Sequence, residues 1–212
     1  MSSVSSPTAP APASETSRRL SSDERREQIV RAAIAVFGAR GYVGATTDEV
    51  AKAAGVSQPY VVRLFGSKES LFLAALNECL EILLSAFRAA VEDTTAEDPL
   101  QRRIGHAYVG LLEVRGLHQT LSHAFLLGAH PVIGPRARDG FARVWAFIRN
   151  AGFDPEAARK FLAEGMLITT MIGLRLVDDY DRDPRITEMF ETCFPSKLAQ
   201  VLEISPRGDD PW

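Results

Sequence analysis

Between Thr46 and Lys68 the chain gathers side chains suited to reading and gripping a polyanion. Gln58 carries an amide donor and acceptor side by side, the pair that can bond bidentately to an adenine edge, and Pro59 offers an apolar surface to a thymine methyl. As an early helix residue Pro59 gives up only a backbone donor that has no helical partner anyway. Thr46 and Thr47 at one helix N-terminus, and Lys68 at the start of another, suit phosphate oxygens. Tyr60 lies on the same helix, and Arg63 can reach a guanine or a phosphate. This is recognition chemistry, with no bond made or broken. The motifs GxGxxG, GxxxxGK and HExxH are absent, which disfavours an enzyme. Cys79 and Cys193 are far apart with no CxxC, and the four histidines, all between 106 and 130, have few acids near them. No metal site and no cofactor is therefore expected.

The elements that must hold these groups are short helices. Apolar residues recur at spacings of three and four and no strand-like alternation persists, so the fold is expected to be all-α. Ser21 with Glu24 and Thr46 with Glu49 are capping boxes that open the first two helices, and Gly41 is expected to end the first as a left-handed cap. Gly55 breaks the second helix, Ser57 caps the third to about Phe65, and Ser67 starts a long fourth helix to about Glu92. In the stretch TDEVAKAAGVSQPYVVRLF, Ala51 is the small residue where two helices cross and Gly55 supplies the turn. Val50, Ala54, Val56, Val61 and Leu64 face inward. That leaves Gln58, Pro59, Tyr60, Val62 and Arg63 on the exposed N-terminal side of the second helix, the end that meets base edges in a helix-turn-helix. Charge agrees: residues 18–68 hold nine Lys or Arg against five acids, although the whole chain carries −3. A helical interaction module would explain the long helices but not a basic head with a capped turn motif.

From Ile29 to Leu71 the sequence resembles the TetR family of transcriptional regulators. The resemblance rests on Phe37 and Gly41-Tyr42, Thr46-Thr47 with Val50-Ala51, Ala54-Gly55-Val56-Ser57, Phe65, and Lys68-Glu69 with Leu71. The family usually has a tyrosine three residues before the closing phenylalanine; this chain has Val62 there and Tyr60 two places earlier. The resemblance implies a three-helix DNA-binding head, a helical ligand-binding body, and dimerisation through the last two long helices.

The expected organisation is a disordered tail at 1–17, a helix-turn-helix DNA-binding domain at 18–66, a larger helical ligand-binding and dimerisation domain at 67–205, and a flexible C-terminus at 206–212. Beyond Pro99 helices are expected to about Val114 and over 117–129, 136–150 and 155–179, with Pro195 breaking a last helical segment. His106, Tyr108, His123, Phe125, Trp145, Met166, Thr169 and Thr170 can line a cavity for an apolar small molecule. Gly165, Ile172, Gly173, Leu176 and Phe190 are the candidate homodimer interface. The fourth helix is read as the one rigid element touching both head and body. No segment reads as a membrane span, and a cytoplasmic repressor on a near-palindromic double-stranded DNA operator, released by its ligand, is the expectation.

Overall fold

The computed structural model describes residues 21–95 and 97–207, and every regular element among them is helical. The tail expected at 1–17 and residues 208–212 lie outside the described residues. Helix α1 (Ser22–Gly44) opens on its capping box: Ser21 Oγ accepts from the Glu24 N–H at 3.2 Å, and the Glu24 carboxylate accepts from the Ser21 N–H at 2.7 Å. At Gly41 the backbone turns to φ +65°, ψ 172°, which kinks the helix before one more turn to Gly44. The second box, Thr46 with Glu49, opens α2 (Thr47–Ala53). Gly55, at φ +63° with open space where a Cβ would stand, makes the turn into α3 (Gln58–Phe65), so conformation rather than room requires glycine there. Ser57 occupies the cap position, but its side chain makes no capping bond. Ser67 caps α4 (Lys68–Glu92) by accepting from the Ser70 N–H at 3.0 Å.

The body continues with α5 (Leu100–Gly110) and a tight turn at Leu111–Glu113. Then come α6 (Leu117–Leu126), α7 (Ile133–Asn150), α8 (Pro155–Gly173), α9 (Pro184–Cys193) and α10 (Leu198–Ile204). Helix α7 starts earlier than expected because Pro135 sits in its first turn, where no backbone donor is needed. Helix α8 stops earlier, at Gly173: Arg175 adopts φ 54°, ψ 38°, and the chain goes on as a tight turn at Leu176–Asp179. Pro195 separates α9 from α10, so the C-terminal segment is two short helices and not the second of two long ones.

Helix α4 is 25 residues long with a mean hydropathy of 1.6, long and apolar enough by those measures to cross a membrane. The absence of such a segment was expected from the sequence. Here its apolar face is core: Leu71, Phe72, Leu76, Leu80, Leu83 and Phe87 are buried, and the helix packs on α1, α5, α6 and α7. One core runs from Ile29, Phe37 and Val61 through α4 to Leu117, Ile133 and Ile148, so packing is continuous across residue 66. A second core joins Val109 and Leu112 to Ile172, Phe190 and Val201. Helix α4 is not alone in bridging head and body. Helix α1 packs along α6, and the buried Thr120 hydroxyl donates to the Ile34 carbonyl at 2.9 Å.

Candidate nucleic-acid interface and ligand cavity

Val61 and Phe65 anchor α3 in the core and leave Pro59, Val62 and Arg63 exposed, with Gln58 and Tyr60 half-buried. Gln58 Nε2 donates to Thr47 Oγ1 at 3.2 Å, which ties the start of α3 to the start of α2. The amide keeps its oxygen and second N–H for another partner. Arg63 stacks its guanidinium 5.0 Å from the centre of the Tyr60 ring. Across the helix crossing, Gln28 Nε2 donates to the Ala54 carbonyl at 2.9 Å and satisfies a group at the end of α2. The acids of α2 are matched locally, Glu49 by Arg40 at 2.9 Å and Asp48 by Lys52 at 2.7 Å.

Two of the expected phosphate ligands are engaged in the fold. The Thr46 hydroxyl donates to the Glu49 carboxylate at 3.0 Å while accepting from the Glu49 N–H. Lys68 Nζ donates to the carbonyls of Val43 at 3.3 Å and Ala45 at 3.1 Å, and lies 4.8 Å from the centre of the Tyr42 ring. Its cation faces the carbonyl end of α1, where the helix dipole favours positive charge. Lys68 thus clamps the kinked end of α1 to α4.

In the body a cavity of about 620 Å³ opens between α4, α6, α7 and α8. Tyr108, His123, Phe125, Met166, Thr169 and Thr170 line it as expected. His106 and Trp145 do not. His106 is 3.1 Å from Ser196 Oγ on a separate cavity of about 320 Å³, and Trp145 lies on the exposed side of α7. The Tyr108 hydroxyl is 2.6 Å from Thr169 Oγ1, which donates to the Gly165 carbonyl at 2.9 Å. Burial raises the Tyr108 pKa, so the phenol stays neutral. The His118 ring stacks edge-on against Tyr108 at 4.7 Å between centres, and burial pushes its pKa down to about 4. The His123 ring lies against the α1 kink: a Cβ on Gly41 would stand 3.3 Å from its Cε1. Among the described residues no cluster of three His, Cys, Asp or Glu side chains is placed to hold a metal ion.

Residues 29–75, the three-helix head and the first turns of α4, match the bacterial regulatory proteins of the tetR family. The N-terminal head is therefore of the tetR type. It is 39% identical over 104 residues to the transcriptional activator FasR of Mycolicibacterium smegmatis, which is 49% of this chain and 48% of that protein. It is 35% identical over 69 residues to the transcriptional regulator RutR of Escherichia coli K12, 32% of each chain. The alignments thus span half or less of these relatives. The fold is shared with a TetR-family member from Streptomyces coelicolor A3, at TM-score 0.57 and 24% identity over 86% of this chain and 99% of that one. It is shared also with the multidrug binding protein EbrR, solved with imidazole, at TM-score 0.52 and 23% identity over 88% and 93%.

The residues expected at a dimer interface divide in a different way. Ile172 and Phe190 are buried in the chain's own second core, and Leu176 packs against it. A Cβ on Gly165 would stand 3.5 Å from the Tyr108 ring, so that face of α8 looks into the cavity. Gly173 alone of the five is exposed. Like Met166, Thr170 and Leu174 it stands at the rim of the cavity, beside the exposed Ala163 and Leu167, and Leu174 is 65% exposed. The sequence reading also left His118, Phe87 and Phe161 off the cavity wall. The available signal for His118 was its place three residues before Leu121, on the inward side of α6.

Proposed function

We propose that this TetR-family protein is a sequence-specific transcriptional regulator: a cytoplasmic homodimer that holds a near-palindromic operator and releases it when an apolar small molecule enters the body cavity. The observation that carries this is the joining of two features by one side chain. The recognition face of α3 sits on a head whose α1 kink at Gly41 rests on His123, and His123 is part of the cavity wall. Gln58 and Pro59 read base edges, Thr47 holds the backbone beside them, and Arg63 reaches a guanine or a phosphate. Two heads on one operator call for a symmetric pair, with recognition helices about one DNA turn apart, roughly 34–36 Å or a multiple. The exposed side of α8, with Leu167 on its outside and Met166, Gly173 and Leu174 at the rim of the cavity, is the surface offered for that pairing.

A ligand pressing on α6 would move His123 and Thr120 against α1, and so change the spacing of the heads. By linkage, operator and ligand then weaken each other by the same factor. FasR bears the name of an activator, EbrR that of a multidrug binding protein. The sign proposed here is therefore put to a direct test. A genomic binding map, compared with transcript levels with and without the gene, should show bound promoters whose transcripts rise on deletion. Transcripts that fall would reverse the sign, and a map with no enriched promoter would contradict the regulator reading.

A further inference from the structure

The smaller cavity, of about 320 Å³, lies across a shared wall from the larger one: Tyr108, Phe161 and Gly165 line both. Its floor is apolar, with Val109, Phe153 and Phe194 buried and Ile168 half-buried. Its rim is cationic. Arg102, Lys160 and Lys197 stand there against one acid, Glu164. Two of these cations have carboxylate neighbours, Arg102 with Asp98 at 3.0 Å and Lys160 with Glu164 at 3.9 Å. The ammonium of the half-buried Lys197 has neither an ion pair nor a hydrogen bond among the described residues. His106 lies nearby, 3.1 Å from Ser196 Oγ. Burial first, and then the Lys197 charge, push the His106 pKa down, so at neutral pH the imidazole adds no charge of its own.

We infer that this cavity is a second ligand site, and that it takes a small carboxylate with an apolar body. The body rests on Val109, Phe153 and Phe194, and the carboxylate supplies the counter-charge that Lys197 lacks. Partial burial makes such a pairing stronger than it would be on an open surface. Three cations against one acid raise the local concentration of anions and repel a cationic ligand. An uncharged ligand gains nothing from Lys197. The volume is at the low end of the range of about 300–1,000 Å³ usual for small-molecule sites, which limits the body to one or two rings. Charge also separates the two sites, since no Asp, Glu, Lys or Arg lines the larger cavity.

Three probes of similar shape test this by calorimetric titration of the full chain at neutral pH: 1-naphthoate, 1-naphthamide and 1-naphthylmethylammonium. The expected order has 1-naphthoate tighter than the amide by about tenfold, the worth of one charge-assisted hydrogen bond, with the ammonium weakest. Lys197→Met should abolish the carboxylate preference, and Lys197→Arg should keep it. Gly105→Leu fills the cavity from α5, where a Cβ meets nothing within 4 Å, and should abolish naphthoate binding. Gly105 is not on the wall of the larger cavity, so that variant tells the two sites apart. The wild-type order stands as a test even if a variant folds poorly. Equal binding of naphthoate and naphthamide, tightest binding by the ammonium, or no binding of naphthoate overturns the second site. So does a preference that survives in Lys197→Met, or a naphthoate affinity unchanged in Gly105→Leu. None of these results bears on the reading of the larger cavity.

Discussion

Gly38 and Gly116 meet backbone to backbone: a Cβ on Gly38 would stand 2.6 Å from the Gly116 Cα, and one on Gly116 would stand 2.5 Å from the Ile34 carbonyl oxygen. Helix α1 of the head and the start of α6 in the body are therefore closer than any side chain permits. With the Thr120 to Ile34 bond one turn away, they form a closely packed joint between head and body. It lies beside the cavity, whose wall includes Gly38 itself.

A methyl group at that joint should force the two backbones apart. Gly38→Ala is expected to lose about 1–3 kcal/mol by overpacking. Gly116→Ala should lose more, because its φ of +80° is also unfavourable for alanine. Gly105→Ala, in a helix with open space around it, should instead gain about 0.5–1 kcal/mol. Urea unfolding of the three variants measures these differences. Equal stability of Gly38→Ala and wild type would contradict the close approach.

Lys68 and Arg63 should separate on two axes. Lys68→Met removes the clamp on Val43 and Ala45 and should lower the melting temperature as well as DNA affinity. Arg63→Ala, exposed on α3, should leave the melting temperature unchanged. If it bonds a phosphate it should reduce the salt slope of binding by about one unit; if it reads a guanine, it should relax one operator position at a cost of roughly 1–3 kcal/mol. Binding titrations across a salt series and with single-base operator variants distinguish the two. A Lys68→Met protein of wild-type stability would return that residue to the phosphate role.

Burial makes His118 harder to protonate in the folded chain, with a pKa of about 4 against 6.5 ordinarily. The unfolded chain therefore binds more protons between those values, and stability must fall as pH drops through that window. The loss is on the order of 3 kcal/mol by its acid end. Relative to wild type, His118→Phe should show a flatter decline of melting temperature between pH 6.5 and 4. Parallel curves would mean that His118 is more accessible to protons than its burial indicates.

The exposed side of α8 should control assembly. Leu167→Glu with Leu174→Glu should convert the protein to monomers in sedimentation without loss of helical circular dichroism. Ile172→Glu, within the chain's own core, should instead unfold part of the body. A wild-type chain that sediments as a monomer at micromolar concentration would contradict the assignment of that face.

The head was legible because its signals are local: Ser21 with Glu24, Thr46 with Glu49 and the positive φ at Gly55 each act within a few residues. The body was less so. Spacing placed Gly165, Ile172 and Gly173 on one helix, but which side meets the chain's own core depends on α9 and α5 folding back. Arg175 ends α8 in a left-handed conformation that arginine itself does not announce. Lys68 shows the same limit within the head, since its partners Val43 and Ala45 lie beyond a kink. The Gly38 to Gly116 joint needed both halves of the chain in place before either glycine had a meaning.

Sequence-specific recognition of DNA by the face that Gln58 presents is checked by selecting bound duplexes from a random pool with the wild type and with Gln58→Ala. The wild type should enrich a near-palindrome with half-site centres about one helical turn, or a multiple of it, apart. The Gln58→Ala protein should enrich the same site with one position per half-site relaxed, at a cost of roughly 1–3 kcal/mol for the preferred base. A wild-type pool that remains random, or a variant that selects the identical sequence, would contradict it.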